Sequence, residues 1–132
     1  MWRGKYMVIA APSDQASGQF GCYGILIGGT SVAFGTGQAN TTALVNGCSQ
    51  SGIAARVCND LVLNGYSDWY LPSEAELLKL YLNQNAIGGF SGNYWSSSEY
   101  DINFAWSTYF VNGQQGINYK DSVGPVRAVR SF

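Results

Sequence analysis

"GYSDWYLPSEAELLKLY", residues 65–81, is the stretch whose reading decides the fold. Ser73 and Glu76 stand three apart behind Pro72, the spacing of a capping box in which each side chain satisfies an amide left free at a helix start. Leu77, Leu80 and Tyr81 follow at helical spacing, so a helix is predicted over 73–83 with that stripe facing inward. Glu74 and Glu76 fall in its first turn, where the helix dipole favours negative charge.

Upstream, SGIAARVCNDLVLNG (51–65) places Ile53, Val57 and Leu61 every four residues, with Ser51 as cap and Asn64-Gly65 as stop. That predicts a second main helix over 51–64 with a core-facing stripe. NTTALVNG (40–47) suits a shorter helix capped by Asn40 or Thr41. KYMVIAA (5–11) and CYGILIG (22–28) read as strands, being short apolar runs bounded by Pro, Ser and Gly. GGTSVAFGTGQ (28–38) reads as a loop and lacks the Lys-Ser/Thr ending of a phosphate-binding loop. From Gly88 onward, glycines, aromatics and β-prone runs predict strands and long loops, with PVRAVRSF (125–132) alternating as a closing strand. The expected class is α+β: two main helices, a small antiparallel sheet and long loops.

A chain of 132 residues is long enough to bury its own core, so residues 1–132 are read as a single domain, compatible with being the C-terminal part of a longer protein. Charged residues are only 11% and the net charge is −1, which offers no general attraction to nucleic acid or anionic lipid. No apolar run is long enough to span a membrane, and MWRGKYMVIAAPSD is not read as a signal peptide. With no histidine, Ser-His-Asp and Cys-His catalysis and the commonest zinc ligand are excluded. The carboxylate pair Glu99 and Asp101 has no Asp/Asn-rich calcium loop around it. The expectation is a non-enzyme with no cofactor and no metal. Cys22, Cys48 and Cys58 are an odd set. Cys48 and Cys58 flank the start of the predicted 51–64 helix and are a possible pair, while buried small thiols are an equally good reading. The sequon at Asn40-Thr41-Thr42 matters only in a glycosylating pathway.

As an ordered set, GYSDWYLPSEAELLKLY (65–81), YWSSSEY (94–100), AW (105–106), F-x-x-G (110–113) and VRAVR (126–130) resemble the bacterial and phage family once catalogued as domain of unknown function 1566. The collagen-like adhesin of Legionella carries such a domain at its C-terminus. GTGQANTT (35–42) and AARVCNDL (54–61) extend the resemblance over nearly the whole chain. It implies a C-type-lectin-like fold and a binding module at a bacterial surface, secreted, or on a phage fibre. It implies partners among host-cell or other surface proteins and glycans, without nucleic acid or membrane insertion, and admits a homotrimeric parent protein. Trp69, Tyr70, Trp95 and Trp106 are read as buried scaffold, Ser96, Ser97 and Ser98 as partners for buried backbone. Arg127 and Arg130 are read as paired with carboxylates or carbonyls at the core edge.

Relatives in this family resemble targets of diversity-generating retroelements, which scramble template adenines. Mutagenised AAC codons cannot become Gln, Lys, Glu, Met or Trp. The unpatterned runs 101–104, 107–109, 111–112, 116–119 and 121–124 contain none of these, whereas Glu99, Trp106, Gln114, Gln115 and Lys120 fall between them. The predicted ligand-binding residues are therefore Asp101, Ile102, Asn103, Phe104, Ser107, Tyr109, Val111, Asn112, Ile117, Asn118, Tyr119 and Asp121, expected largely on one exposed face. The function expected is display of a diversified receptor-binding surface; a fixed glycan-binding adhesin domain is the alternative.

Overall fold

In a computed structural model, which describes residues 7–132, the chain mixes helices with small antiparallel sheets. In order the elements are β1 (Val8–Ala10), β2 (Gln15–Gln19), α1 (Gly37–Gly47), α2 (Ala54–Asn59), α3 (Glu74–Leu82), α4 (Gln84–Ile87), β3 (Asn93–Glu99), β4 (Phe104–Tyr109), β5 (Gln114–Tyr119), β6 (Val123–Val126) and β7 (Val129–Ser131). β3, β4 and β5 form a three-stranded sheet, while β1 pairs with β7 and β2 with β6. Residues 5 and 6 of the predicted first strand lie outside the described residues.

The capping box forms as read: the Glu76 amide donates to Ser73 Oγ at 3.3 Å and the Ser73 amide donates to Glu76 Oε1 at 2.8 Å. α3 thereby starts in a buried position beside β3 and β4, with Leu77 and Leu80 in the core and Tyr81 half-buried. The closing strand is present as two pieces, β6 and β7, joined by buried Arg127 and Ala128.

Several expectations are corrected. The helix read over 40–47 with Asn40 or Thr41 as cap starts at Gly37 with Thr36 in the cap position, and its 11 residues make it longer than α2 and α3, the two predicted to be the main helices. The 51–64 helix is much shorter, because Gly52 takes a left-handed φ of 72° and Ile53 is extended, so the helix starts only at Ala54. Its far end yields to a tight turn: Asn64 and Gly65 both have positive φ, and Leu63 bridges Tyr66, the two-residue hairpin geometry that Asn-Gly favours. Ile53 is nonetheless fully buried, with Val57 and Leu61 packed on the same cluster. Residues 22–28 are not a strand, since Cys22, Gly24 and Gly28 all have positive φ. Cys48 pairs with Cys22, not with Cys58. Cys58 is a free thiol on the buried side of α2, and burial pushes its ionisation far above the usual range.

Two hydrophobic clusters flank β3. Trp95 points into one with Phe20, Ile53, Ala54 and Leu71, its indole N–H donating to the Gly18 carbonyl at 3.1 Å. Tyr94 points into the other with Tyr70, Leu77, Leu80 and Phe110. Ser96 and Ser98 bond buried backbone as expected, whereas the Ser97 hydroxyl accepts from the Asn40 side chain. Ser96 Oγ donates to the Trp106 carbonyl, Ser98 Oγ donates to the Ser31 carbonyl, and the Glu74 amide donates to Ser98 Oγ. Arg127 is wholly buried against Asp14, three backbone carbonyls and the Phe90 ring, and Arg130 holds Asp68. Asn40 is also buried, bonded to Ser31 and Ser97, so the folded chain does not present the sequon. Trp106 departs from expectation: it is half-buried, because it stands on the face of β4 that α3 covers only further along, at Thr108.

Trp95→Ala is expected to lower the unfolding free energy by about 3–5 kcal/mol and Trp106→Ala by under about 2 kcal/mol in chemical denaturation. Reducing the Cys22–Cys48 bond is expected to cost about 2–4 kcal/mol, read from denaturation with and without reductant.

Candidate functional site

The site is built on the β4–β5 hairpin. Its register pairs Phe104 with Tyr119, Trp106 with Ile117 and Thr108 with Gln115, so these six side chains share one face. Ala105, Ser107 and Tyr109 share the other with Asn118, Gly116 and Gln114. The expectation of a single face for the predicted residues therefore does not match the ladder: strand alternation divides them.

On the first face an aromatic surface forms. Phe104 and Tyr119 rings lie 4.5 Å apart, and Tyr100 meets Trp106 edge-on at 5.5 Å. Tyr23, from the 22–28 loop, reaches Tyr119 at 6.2 Å. Ile102, Ile117 and Tyr119 are 49%, 38% and 52% exposed, and Tyr23, Ile25 and Leu26 of the loop are exposed as well. On the second face lies a shallow pocket of about 310 Å³, lined by Asn93, Ser107, Tyr109, Gln114, Gly116 and Asn118, with Ile117 of the ladder also bordering it. Asn118 Nδ2 donates to Ser107 Oγ at 2.7 Å there, and Ser107 is almost fully buried. Val111 and Asn112 stand exposed at the β4–β5 turn, where Asn112 Oδ1 accepts from the Gln114 amide, and Asp121 is exposed beyond β5. Asp101 is half-buried and accepts from the Asn103 and Phe104 amides, so its carboxylate shapes the β3–β4 turn.

Behind the aromatic surface is a buried ion pair. Lys120 Nζ lies 2.7 Å from Glu99 Oε2, with both side chains excluded from solvent. Glu99 also accepts from the Ile27 and Gly28 amides at 2.8 Å, and Lys120 Nζ donates to the Ile25 carbonyl at 2.9 Å. The pair therefore fixes the 22–28 loop against the hairpin. Gly24 adds an amide bond to the Ile102 carbonyl, and the Lys120 amide donates to Asn103. The contribution of residues 22–28 was missed in the sequence because their apolar run imitates a strand; the glycines at 24 and 28 were the signal against it.

Among the described residues no group of three or more acidic or cysteine side chains is placed to hold a metal ion. The arrangement offers rings, amides and hydroxyls on a rigid support. Lys120→Met, which strands Glu99 without its cation, is expected to destabilise the domain by about 3–5 kcal/mol in denaturation.

No curated protein matches the chain. The family model of the Lcl C-terminal domain matches residues 23–130, which takes in the 22–28 loop, the capped helix and the whole hairpin; the chain belongs to that family.

Proposed function

We propose that this domain is a displayed binding module, acting outside the cell that makes it, which recognises a host-cell or other surface protein through the aromatic face of the β4–β5 hairpin. The observation that carries this reading is the separation of the exposed rings and aliphatic tips from the buried frame of Glu99, Lys120, Trp95 and the serines. Exposed apolar area rimmed by Asn and Asp is the form of a partner-binding surface. Tyr supplies rigid amphipathic contact, and short polar residues adapt their hydrogen bonds. Membership of the Lcl C-terminal domain family supports an adhesin-like, surface or secreted setting, and no helix of the described residues is long and apolar enough to cross a membrane. Recognition proceeds without catalysis or cofactor.

The same reading takes the fold as C-type-lectin-like and the face as a product of retroelement diversification on a phage fibre or bacterial surface protein. The distribution of residue types supports diversification, and Glu99 and Lys120, which lie outside the runs, are the ion pair that holds the face together. Thr108 lies within a run yet is wholly buried, so that run is not all surface. A nearby reverse transcriptase gene and a 3′ near-copy of this gene differing at adenines is the expected genomic finding; a locus without either counts against diversification. A fixed glycan-binding adhesin is the second reading, favoured by the polar pocket at Asn93, Ser107 and Asn118, and a glycan array tests it.

Replacing Ile102, Ile117 and Tyr119 together with Ser is expected to keep the melting temperature within about 5 °C, as surface changes do, and to abolish capture of the partner found by screening displayed surface proteins. Unfolding of that variant, or undiminished capture, would overturn the reading.

A further inference from the structure

Glu74 is the first residue of α3 and only 3% exposed. Its Oε2 accepts from Thr108 Oγ1 and from Gln115 Nε2, each at 3.0 Å. Its Oε1 is buried and has no hydrogen-bond partner. The Ser96 hydroxyl, which donates to the Trp106 carbonyl at 2.8 Å, also lies beside this carboxyl. Other buried ionic side chains have partners: Glu99 has Lys120, Arg127 has Asp14, and Glu76 has the amides of Ser73 and Gly35, while half-buried Arg56 leaves its Nε without a partner but donates twice through Nη2. Glu74 has no cation. The charged groups on the surrounding elements are Glu76 and Lys79 on α3, Glu99 at the end of β3 and Lys120 just after β5; β4 and β5 carry none. None of these charges acts on it. Burial is the dominant influence and raises its carboxyl to about 8, against the weaker opposing hydrogen bonds from Thr108, Gln115 and Ser96.

A small pocket of about 150 Å³ lies at this carboxyl, lined by Val32, Glu74, Trp106 and Gln115. It is smaller than the roughly 300–1,000 Å³ that houses a whole ligand, so it suits the end of one side chain. It is lined by an indole, an aliphatic group, an amide and an acid that has no cation of its own. The donor that reaches that acid from the solvent side belongs to Gln115, an exposed residue that can swing away. A guanidinium needs two free oxygens for its fork, whereas a compact ammonium needs one strong acceptor and an aromatic wall.

We propose that this pocket receives the ammonium group of a lysine side chain from the protein partner, with Nζ at the Glu74 carboxylate and the methylene stem along Trp106 and Val32. Entry requires Gln115 to turn outward and give up its bond to Glu74 Oε2. Bound ammonium stabilises the carboxylate, so the proton held by Glu74 passes to solvent. The partner's being a protein rests on the function proposed above; the pocket does not, and a small amine probes it alone.

The experiment is a titration of the intact domain with n-butylamine, followed by NMR at the Trp106 indole N–H and the Gln115 side-chain amide, with n-butanol as the uncharged control. Amine is expected to shift both signals and n-butanol neither. Because binding needs the ionised acid, affinity should rise about tenfold per pH unit below about 8 and level off above it. Glu74→Gln keeps an acceptor for Thr108 and should retain the wild-type melting temperature while weakening amine binding at least tenfold. Absence of shifts with amine, equal shifts with n-butanol, pH-independent affinity, or undiminished amine binding by Glu74→Gln would each overturn the proposal; the n-butanol result would point to a hydroxyl ligand instead. Loss of partner capture by the Ile102, Ile117 and Tyr119 variant with no amine binding would refute the pocket and leave the binding face standing.

Discussion

The salt bridge between Lys120 and Glu99 organises the functional end of the molecule. Two opposite charges with no solvent are costly to bury, and the cost is met only where the remaining hydrogen-bonding capacity is also used. Here it is used to fasten backbone: two amides of the 22–28 loop donate to Glu99 and one of its carbonyls accepts from Lys120. A segment with no strand or helix of its own is thus given a defined path by side chains roughly seventy to ninety-five positions away in sequence. Tyr23 stands beside Tyr119 because of it. The Cys22–Cys48 bond holds the loop's near end, and the ion pair its far end.

The frame works by the same economy elsewhere. Arg127 reaches Asp14, Ala11, Gly88 and Gly89, joining segments that no sheet ladder joins. Ser98 and Asn40 close the polar groups of the 30–36 loop against β3, and Ser96 ties β3 to the Trp106 carbonyl of β4. A domain with short helices and paired rather than broad sheets has little regular backbone bonding to rely on, so buried side chains take that part. Among the described residues the pattern is left incomplete at Glu74 Oε1 and at Arg56 Nε.

Much of this was readable in the sequence where the signal was local. The capping box at Ser73 and Glu76, the inward Leu77 and Leu80, the closing strand and the pairing of Arg127 and Arg130 all follow from neighbours or from strong residue preferences. What was not readable depended on distant partners. Residues 22–28 are apolar enough for a strand, but their course is set by Glu99 and Lys120 and by left-handed glycines. The 51–64 helix was overextended because Asn64-Gly65 serves a hairpin turn as well as it serves a helix end. Cys22 lies far from Cys48 in sequence, so spacing favoured the wrong neighbour. For the site, alternation set Ser107, Tyr109 and Val111 outward against Trp106, Thr108 and Phe110; this holds for Tyr109, Val111, Thr108 and Phe110, but Ser107 is buried and Trp106 half-buried, and only the pairing with β5 shows that Ser107, Tyr109 and Asn118 face away from Phe104, Ile117 and Tyr119.

The pairing of β1 with β7 has a mechanical side. Met7 and Phe132 exchange backbone hydrogen bonds at 3.2 and 3.1 Å, so the two ends of the described chain lie next to one another. Tension applied between those ends would load this ladder one rung at a time, like a zipper. Tension between one end and a ligand held on the hairpin would follow a different line, through β7, the buried Arg127 and the β6–β2 pair. Resistance to pulling is then a property of direction: the same domain is weaker when stretched between residues 7 and 132 and firmer when the load enters through the hairpin.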